Sequence, residues 1–166
     1  MRIGQYLGQV AMYGLFIAFI GYFANSPAYT FMEPGMAMVK LTFSHAGKRK
    51  QPCRERTAEE LAAMPAHLRK KRDCPRERSP VDVELELDGK LIYRATIMPS
   101  GMSSDLASPI YESVRVPAGE HRLQLRMRDD VHTEGFDFTL DETVALRPAQ
   151  IMVIDFDSEH GKFMLE

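Results

Sequence analysis

Residues 81–97 read VDVELELDGKLIYRATI, and this stretch decides the fold. Val81, Val83, Leu85 and Leu87 alternate with Asp82, Glu84 and Glu86. That period of two belongs to a strand with one face in a core and the other in water. Asp88-Gly89-Lys90 follows, and Gly89 can adopt the positive φ that a tight hairpin demands. Leu91, Tyr93, Ala95 and Ile97 then resume the alternation. A lone hairpin is marginal in water, so its apolar face calls for further strands.

The same period extends in both directions. Met36, Met38 (then Val39), Leu41 and Phe43 outline an earlier strand, with the two methionines on its apolar face. Beyond the hairpin, Pro99–Pro109 is a Ser/Gly/Pro-rich loop. Tyr111, Val114 and Val116 lead into Pro117-Ala118-Gly119-Glu120, a second tight turn. His121, Leu123, Leu125 and Met127 alternate with Arg122, Gln124, Arg126 and Arg128. Further strands fit Phe136–Leu140, Val144–Leu146, Ile151–Phe156 and Lys162–Leu165. About eight short strands separated by turns describe a mainly β fold, an antiparallel β-sandwich of immunoglobulin-like type, with a small barrel as the alternative.

Two segments also carry a family resemblance. VDVELELDGKLIYRATI and, further on, ESVRVPAGEHRLQLRMRD resemble the PEGA and transthyretin-like accessory modules of bacterial envelope proteins. The matching positions are the turn residues Asp88, Gly89, Pro117, Gly119 and His121, within about 50 of 166 residues. The resemblance implies a non-catalytic binding or scaffolding module and transfers no functional residues.

Ahead of the strands the composition changes. Val10–Phe23 reads VAMYGLFIAFIGYF, without charge or proline, and extends back to Tyr6 to give 18 residues. As a helix these span roughly 27 Å, close to a hydrocarbon core of about 30 Å. Tyr6 at one end and Tyr22, Phe23 and Tyr29 at the other suit an interfacial aromatic belt, and Pro27 stops the helix. The alternative is a cleaved signal peptide, whose only small-x-small sites are Ala24-Asn25-Ser26 and Ser26-Pro27-Ala28. Arg2 and the amino terminus are the positive charges before the helix, and Glu33 precedes the next, Lys40. The positive-inside rule then puts the amino terminus in the cytoplasm and the remainder across the inner membrane, in the periplasm. The expected layout is a cytoplasmic tip and anchor over 1–26, a linker over 27–35 and a body over 36–166.

Cys53 and Cys74 are the only cysteines. In an exported domain the pair reads as a disulfide that closes a loop of about 20 residues and stabilises by about 3 kcal/mol. In a reducing compartment both would be free thiols. Within the loop, Thr57-Ala58-Glu59-Glu60 is a capping-box pattern, and Leu61, Met64 and Leu68 share one face of a short helix that Pro65 splits. That stripe is expected to dock on the body.

Charge is segmented as well. Residues 48–78 hold eleven basic side chains (Lys48, Arg49, Lys50, Arg54, Arg56, Arg69, Lys70, Lys71, Arg72, Arg76 and Arg78) against five acids, a net of +6. Residues 79–166 carry a net of −9. A basic patch of this kind can meet an acidic protein partner or anionic lipid headgroups, or can pair with the protein's own acidic strands. Nucleic acid is excluded by the expected compartment and by the lack of interleaved aromatics for stacking.

Length and composition exclude other classes. At 166 residues and 45% hydrophobic content the chain is neither a multidomain enzyme nor a disordered one. Eleven methionines raise Cu(I) handling, with Met36, Met38 and His45 as candidate ligands, although no Met-x-x-Met or Cys-x-x-Cys pair occurs. Asp155, Asp157, Glu159 and Glu166 fit part of a calcium-loop frame, but its glycine falls one place late, at Gly161. Ser44-His45 and Ser158-Glu159-His160 are sequence neighbours that a strand would send to opposite faces, and no nucleophile or phosphate-loop motif is present. The expected role is therefore non-enzymatic and cofactor-free. The chain reads as an anchored periplasmic accessory or assembly subunit of an inner-membrane complex, a respiratory one among the candidates. The alternatives are a copper-handling assembly factor and a secreted binding domain.

Overall fold

The computed structural model describes residues 2–26 and 31–166. Residues 27–30 lie outside this range, and with them Pro27, Tyr29 and part of the expected linker. The chain divides into two units, Met1–Glu33 and Pro34–Glu166.

The first unit is a single helix, α1, Arg2–Asn25. Every described side chain from Ile3 to Asn25 is exposed, and the helix is long and apolar enough to cross a membrane. At 24 residues it measures about 36 Å. Its last turn closes through Ser26 N–H donating to Tyr22 O at 2.8 Å and Asn25 Nδ2 donating to Gly21 O at 3.0 Å.

The second unit is mainly β. In chain order its strands are β1 (Met36–His45), β2 (Arg54–Glu55), β3 (Arg72–Asp73), β4 (Val81–Leu87), β5 (Lys90–Ile97), β6 (Ser108–Pro117), β7 (Gly119–Arg128), β8 (Phe138–Leu146), β9 (Ile151–Asp157) and β10 (Lys162–Leu165). Eight of them form two four-stranded sheets, ordered β10-β9-β1-β6 and β5-β4-β7-β8. The decisive hairpin is present as expected: Asp88 and Gly89 both have positive φ, 52° and 75°. Inward residues of both sheets share one cluster, with Val39 and Leu41 of β1, Val83 and Leu85 of β4, Leu123 and Leu125 of β7 and Ile154 of β9 all fully buried.

Four expectations need correction. The first sheet is mixed, because β1 and β9 run parallel, Met38 opposite Ile151 through Leu41 opposite Ile154. Residues 147–150 carry the chain from the second sheet to the start of β1, where Ala149 N–H donates to Met36 O and Met38 N–H to Gln150 O. A strand that enters beside the start of β1 must run in its direction, and alternation carries no directional signal. The strands expected over 136–140 and 144–146 are one, β8, whose central Asp141 pairs with Gln124 of β7.

The inward phase also moves in two places. On β1 the core face is Ala37, Val39, Leu41, Phe43 and His45, so Met36 and Met38 lie on the opposite face, and Met38 is buried outside the core cluster. In β5 the register shifts between Leu85 and Glu86 of β4: Leu85 pairs with Tyr93 and Glu86 with Leu91. The extra residue, Ile92, packs on the core while Leu91 is left exposed.

On the outer face of the second sheet the acids meet arginines. Arg128 pairs with Asp82, and Arg126 with Glu84 and Glu86. Arg122 Nε donates to Asp141 Oδ1 at 2.8 Å, and Gln124 Nε2 donates to its Oδ2 at 2.9 Å. Hydrogen bonds from Arg122 and then Gln124 draw the Asp141 carboxyl down to about 2. Because the folded value is depressed, this contact stabilises fully above the ordinary carboxylate range and is lost as pH falls toward about 2. A carboxyl ¹³C titration is expected to place the Asp141 midpoint about two pH units below an unperturbed aspartate, and Arg122→Ala should return most of that difference.

At one end of the core sits a buried polar pair. His45 Nε2 and Asp129 Oδ2 are 2.7 Å apart, and both residues are under 10% exposed. Ser158, in the β9–β10 turn, meets His45 Nδ1 at 3.0 Å, and the imidazole stands edge-on to Phe138 and Phe156. Asp129→Ala is expected to destabilise by roughly 3 kcal/mol in urea unfolding, since it leaves the buried Nε2 of His45 without a partner, whereas exposed Ser158→Ala should lose about 1 kcal/mol or less.

Candidate functional site

Beyond His45 the chain leaves the body as a two-stranded ribbon. Gly47 makes this exit feasible: a Cβ there would stand 2.3 Å from the Ser79 carbonyl oxygen and 3.1 Å from that of Asp129. Lys48 N–H donates to Asp129 O at 2.9 Å, and Ser79 N–H donates to Lys48 O at 2.7 Å. The pairing then continues in a single register. Arg49 bridges Arg78, Lys50 N–H donates to Glu77 O, β2 pairs with β3 through Arg54–Asp73 and Glu55–Arg72, and Arg56 N–H donates to Lys71 O. Cys53 and Cys74 face each other in that register and are joined as a disulfide, with Cα atoms 4.2 Å apart.

The capping box at the tip forms as expected. Glu60 N–H donates to Thr57 Oγ1 at 3.3 Å and Thr57 N–H donates to the Glu60 carboxylate at 3.0 Å, which starts α2, Ala58–Ala63. After Pro65 a single 3-10 turn, Ala66–Leu68, completes the tip. The expected docking of the apolar stripe does not occur. Leu61 and Met64 are only half-buried, Leu68 is 50% exposed, and no residue from 48 to 78 is buried. A two-turn tip has too few apolar side chains to cover, and the ribbon holds it clear of the core.

The eleven cations divide into two groups. Lys48 faces Asp129, Asp130 and Asp137 at 3.4–3.7 Å. Its partial burial lowers the ammonium's proton affinity, but the three carboxylates, Asp129 foremost, outweigh that and raise it. Lys50 pairs with Glu77, Arg54 with Glu60 and Asp73, and Arg56 with Asp73. Arg78 donates to the carbonyls of Gly47 and Asp105. Among the described residues, Arg49, Arg69, Lys70, Lys71, Arg72 and Arg76 have no carboxylate within 4 Å, and all six are exposed. Pairing with the body's acids is thus confined to Lys48 at the foot, whose partners lie in the β7–β8 connection and not on the acidic strands.

One element of this end was not flagged by the sequence. The 98–107 loop is tied to the ribbon's foot by Arg78 N–H donating to Ser104 O at 2.9 Å and Arg78 Nε donating to Asp105 O at 3.0 Å. Ser100 N–H and Oγ both bond Ala107 O, and Leu106 N–H donates to Ser100 O, so the loop is internally braced. It nevertheless presents Met98, Met102 and Leu106 at 69%, 108% and 57% exposure. Three large apolar residues inside a Ser/Gly/Pro stretch were the available signal.

The opposite end of the body gathers the turn residues that carry the family resemblance. Asp88 accepts from His121 Nδ1 at 2.7 Å and from Arg122 N–H at 2.9 Å, so the two motifs are one hydrogen-bonded unit. The His121 contact first, and the Arg122 amide second, hold the Asp88 carboxyl below its ordinary range.

The remaining candidates do not assemble. Met36 and Met38 lie on the face of β1 opposite to His45, both His45 nitrogens are engaged, and Cys53 is in the disulfide. Among the described residues no group of three or more His, Cys, Asp or Glu is placed to hold a metal ion. Asp157 of the calcium-loop frame instead organises the β9–β10 turn, accepting the Glu159 and His160 amides at 2.9 and 3.1 Å. Ser158, His45 and Asp129 do align, a contact across 113 residues that sequence adjacency hid. With those two amides held by Asp157, neither is free to stabilise an oxyanion beside Ser158.

No protein-family model matches the chain, and no curated protein matches it in sequence.

Replacing both cysteines, Cys53→Ser with Cys74→Ser, should separate ribbon from body. Trypsin is expected to cut at Arg69–Arg72 at least tenfold faster, because the clamp on a ribbon without buried residues is gone. The main thermal transition should move by only a few degrees.

Proposed function

We propose that this protein is a membrane-anchored accessory or assembly subunit of a bacterial inner-membrane complex, with a periplasmic β-sandwich that acts through protein–protein contact. The observation that carries the reading is the ribbon. Residues 48–78 add no buried side chain to the core, yet they are held by a disulfide, a capping box and a continuous hydrogen-bonded register. Order that does not serve the core serves presentation. The apolar helix α1 supports the anchor, and the disulfide with the charge bias around α1 supports the periplasmic side. Two sheets that share one inward cluster support the sandwich.

Purification of the full chain from its own membranes in mild detergent tests this reading. Migration on a native gel in an assembly well above the 18.9 kDa of the chain, with stoichiometric co-eluting subunits, is the expected result. A lone monomer in several mild detergents would contradict it.

A further inference from the structure

Six cations on a disulfide-closed ribbon, at the end of the body that also displays an apolar loop, define a surface of specific chemistry. We infer that the ribbon and the 98–107 loop form a docking face for an acidic segment of a partner protein, a segment that presents carboxylates to the ribbon and apolar side chains to Met98, Met102 and Leu106. The inference rests on the accessory-subunit reading and names the chemistry of its partner.

Three observations carry it. First, Arg49, Arg69, Lys70, Lys71, Arg72 and Arg76 lack carboxylate partners while their neighbours Lys50, Arg54 and Arg56 are paired within the ribbon. Excess positive charge is thus left without a carboxylate inside the chain and can be met only by anionic groups from outside. Second, the three exposed apolar side chains lie in the loop that Arg78 ties to the ribbon's foot, next to the Arg49–Arg78 bridge, and apolar surface edged by cations matches the make-up of a protein interface. Third, the chain enters the body at Met36 and the ribbon leaves at Lys48, at opposite ends of ten-residue β1, about 33 Å apart. The ribbon's foot therefore lies at the end of the body opposite Met36.

A second copy of this chain is a poorer occupant. Seven of the seventeen acids in residues 79–166, Asp82, Glu84, Glu86, Asp129, Asp130, Asp137 and Asp141, already meet Lys or Arg, and the others are spread over loops, turns and strands from Asp88 to Glu166.

Zero-length carbodiimide coupling in native membranes tests the inference, because it joins an amine to a carboxylate only when the two are in direct contact. The expected product is an amide from Lys70 or Lys71 to an Asp or Glu of a different polypeptide, with yield falling about tenfold as salt is raised from low to high ionic strength. The full-length variant with Arg69→Glu, Lys70→Glu, Lys71→Glu and Arg72→Glu should weaken assembly by about tenfold or more, and Met102→Asp should do so independently. A milder variant, Lys70→Gln with Lys71→Gln, guards against a folding defect in the first, and retention of the disulfide and of the thermal transition is checked in each.

Couplings confined to the chain itself, or a covalent homodimer, would overturn the inference. So would protection of Lys70 and Lys71 from acetylation in phosphatidylglycerol but not phosphatidylcholine proteoliposomes, without coupling, which would assign the face to the bilayer. If the fourfold variant still co-purifies with its assembly undiminished, the docking face is wrong while the accessory-subunit reading stands. If wild type and variant are both monomeric in membranes, that reading itself fails.

Discussion

A buried imidazole and a buried carboxylate, 2.7 Å apart, govern how this body ends. His45 is the last inward residue of β1, and Asp129 follows the last residue of β7, so their contact ties one sheet to the other where the core runs out. Neither could be buried without the other or a substitute partner. The same aspartate extends the tie outward: its backbone carbonyl receives Lys48 N–H, and its N–H donates to the Asp137 carboxylate. Ser158 brings in the β9–β10 turn on the other side of the imidazole. Core, ribbon and two loops thus meet in one small polar knot.

From that knot the ribbon departs under a different physical regime. The body is held by burial, as the fully buried Val39, Leu85, Leu125 and Ile154 show. The ribbon buries nothing, and a short isolated hairpin with a two-turn helical tip is marginal in water. Its order comes from covalent closure at Cys53–Cys74, from close backbone approach at Gly47 and from ion pairs along its length. An element stabilised in this way can carry charge where a core element cannot. That separation of duties is what links the fold to the proposed role: the sheets supply a stable base, and the ribbon supplies an address.

Much of this was legible because alternation and turn chemistry are local. Val81–Leu87, the Asp88-Gly89 turn and the capping box from Thr57 to Glu60 all formed where their residues placed them. The misreadings came from non-local causes. Parallel pairing of β1 with β9 follows from where the 147–150 connection enters, which no strand encodes in its own pattern. The inward phase of β5 is reset by a bulge, and β1 turns Ala37 inward in place of Met36 and Met38, so side-chain size alone does not mark the core face. At the candidate site, the cluster of cations was plain in the sequence, but which of them stay unpaired depends on a register known only once Cys53 and Cys74 are opposed. The Met98–Leu106 surface and the Ser158–His45 contact depend on loops meeting across the fold.

The central claim is that the ribbon is the face this protein presents to a partner, and lysine footprinting tests it most directly. Acetylation of intact membranes would be compared with acetylation of the purified chain, reading Lys70 and Lys71 at the ribbon against Lys90 in the hairpin at the opposite end of the body. The account predicts that Lys70 and Lys71 react several-fold more slowly in membranes than in the purified chain, while Lys90 reacts equally in both. Equal reactivity of Lys70 and Lys71 in the two preparations, or protection of Lys90 instead, would contradict it.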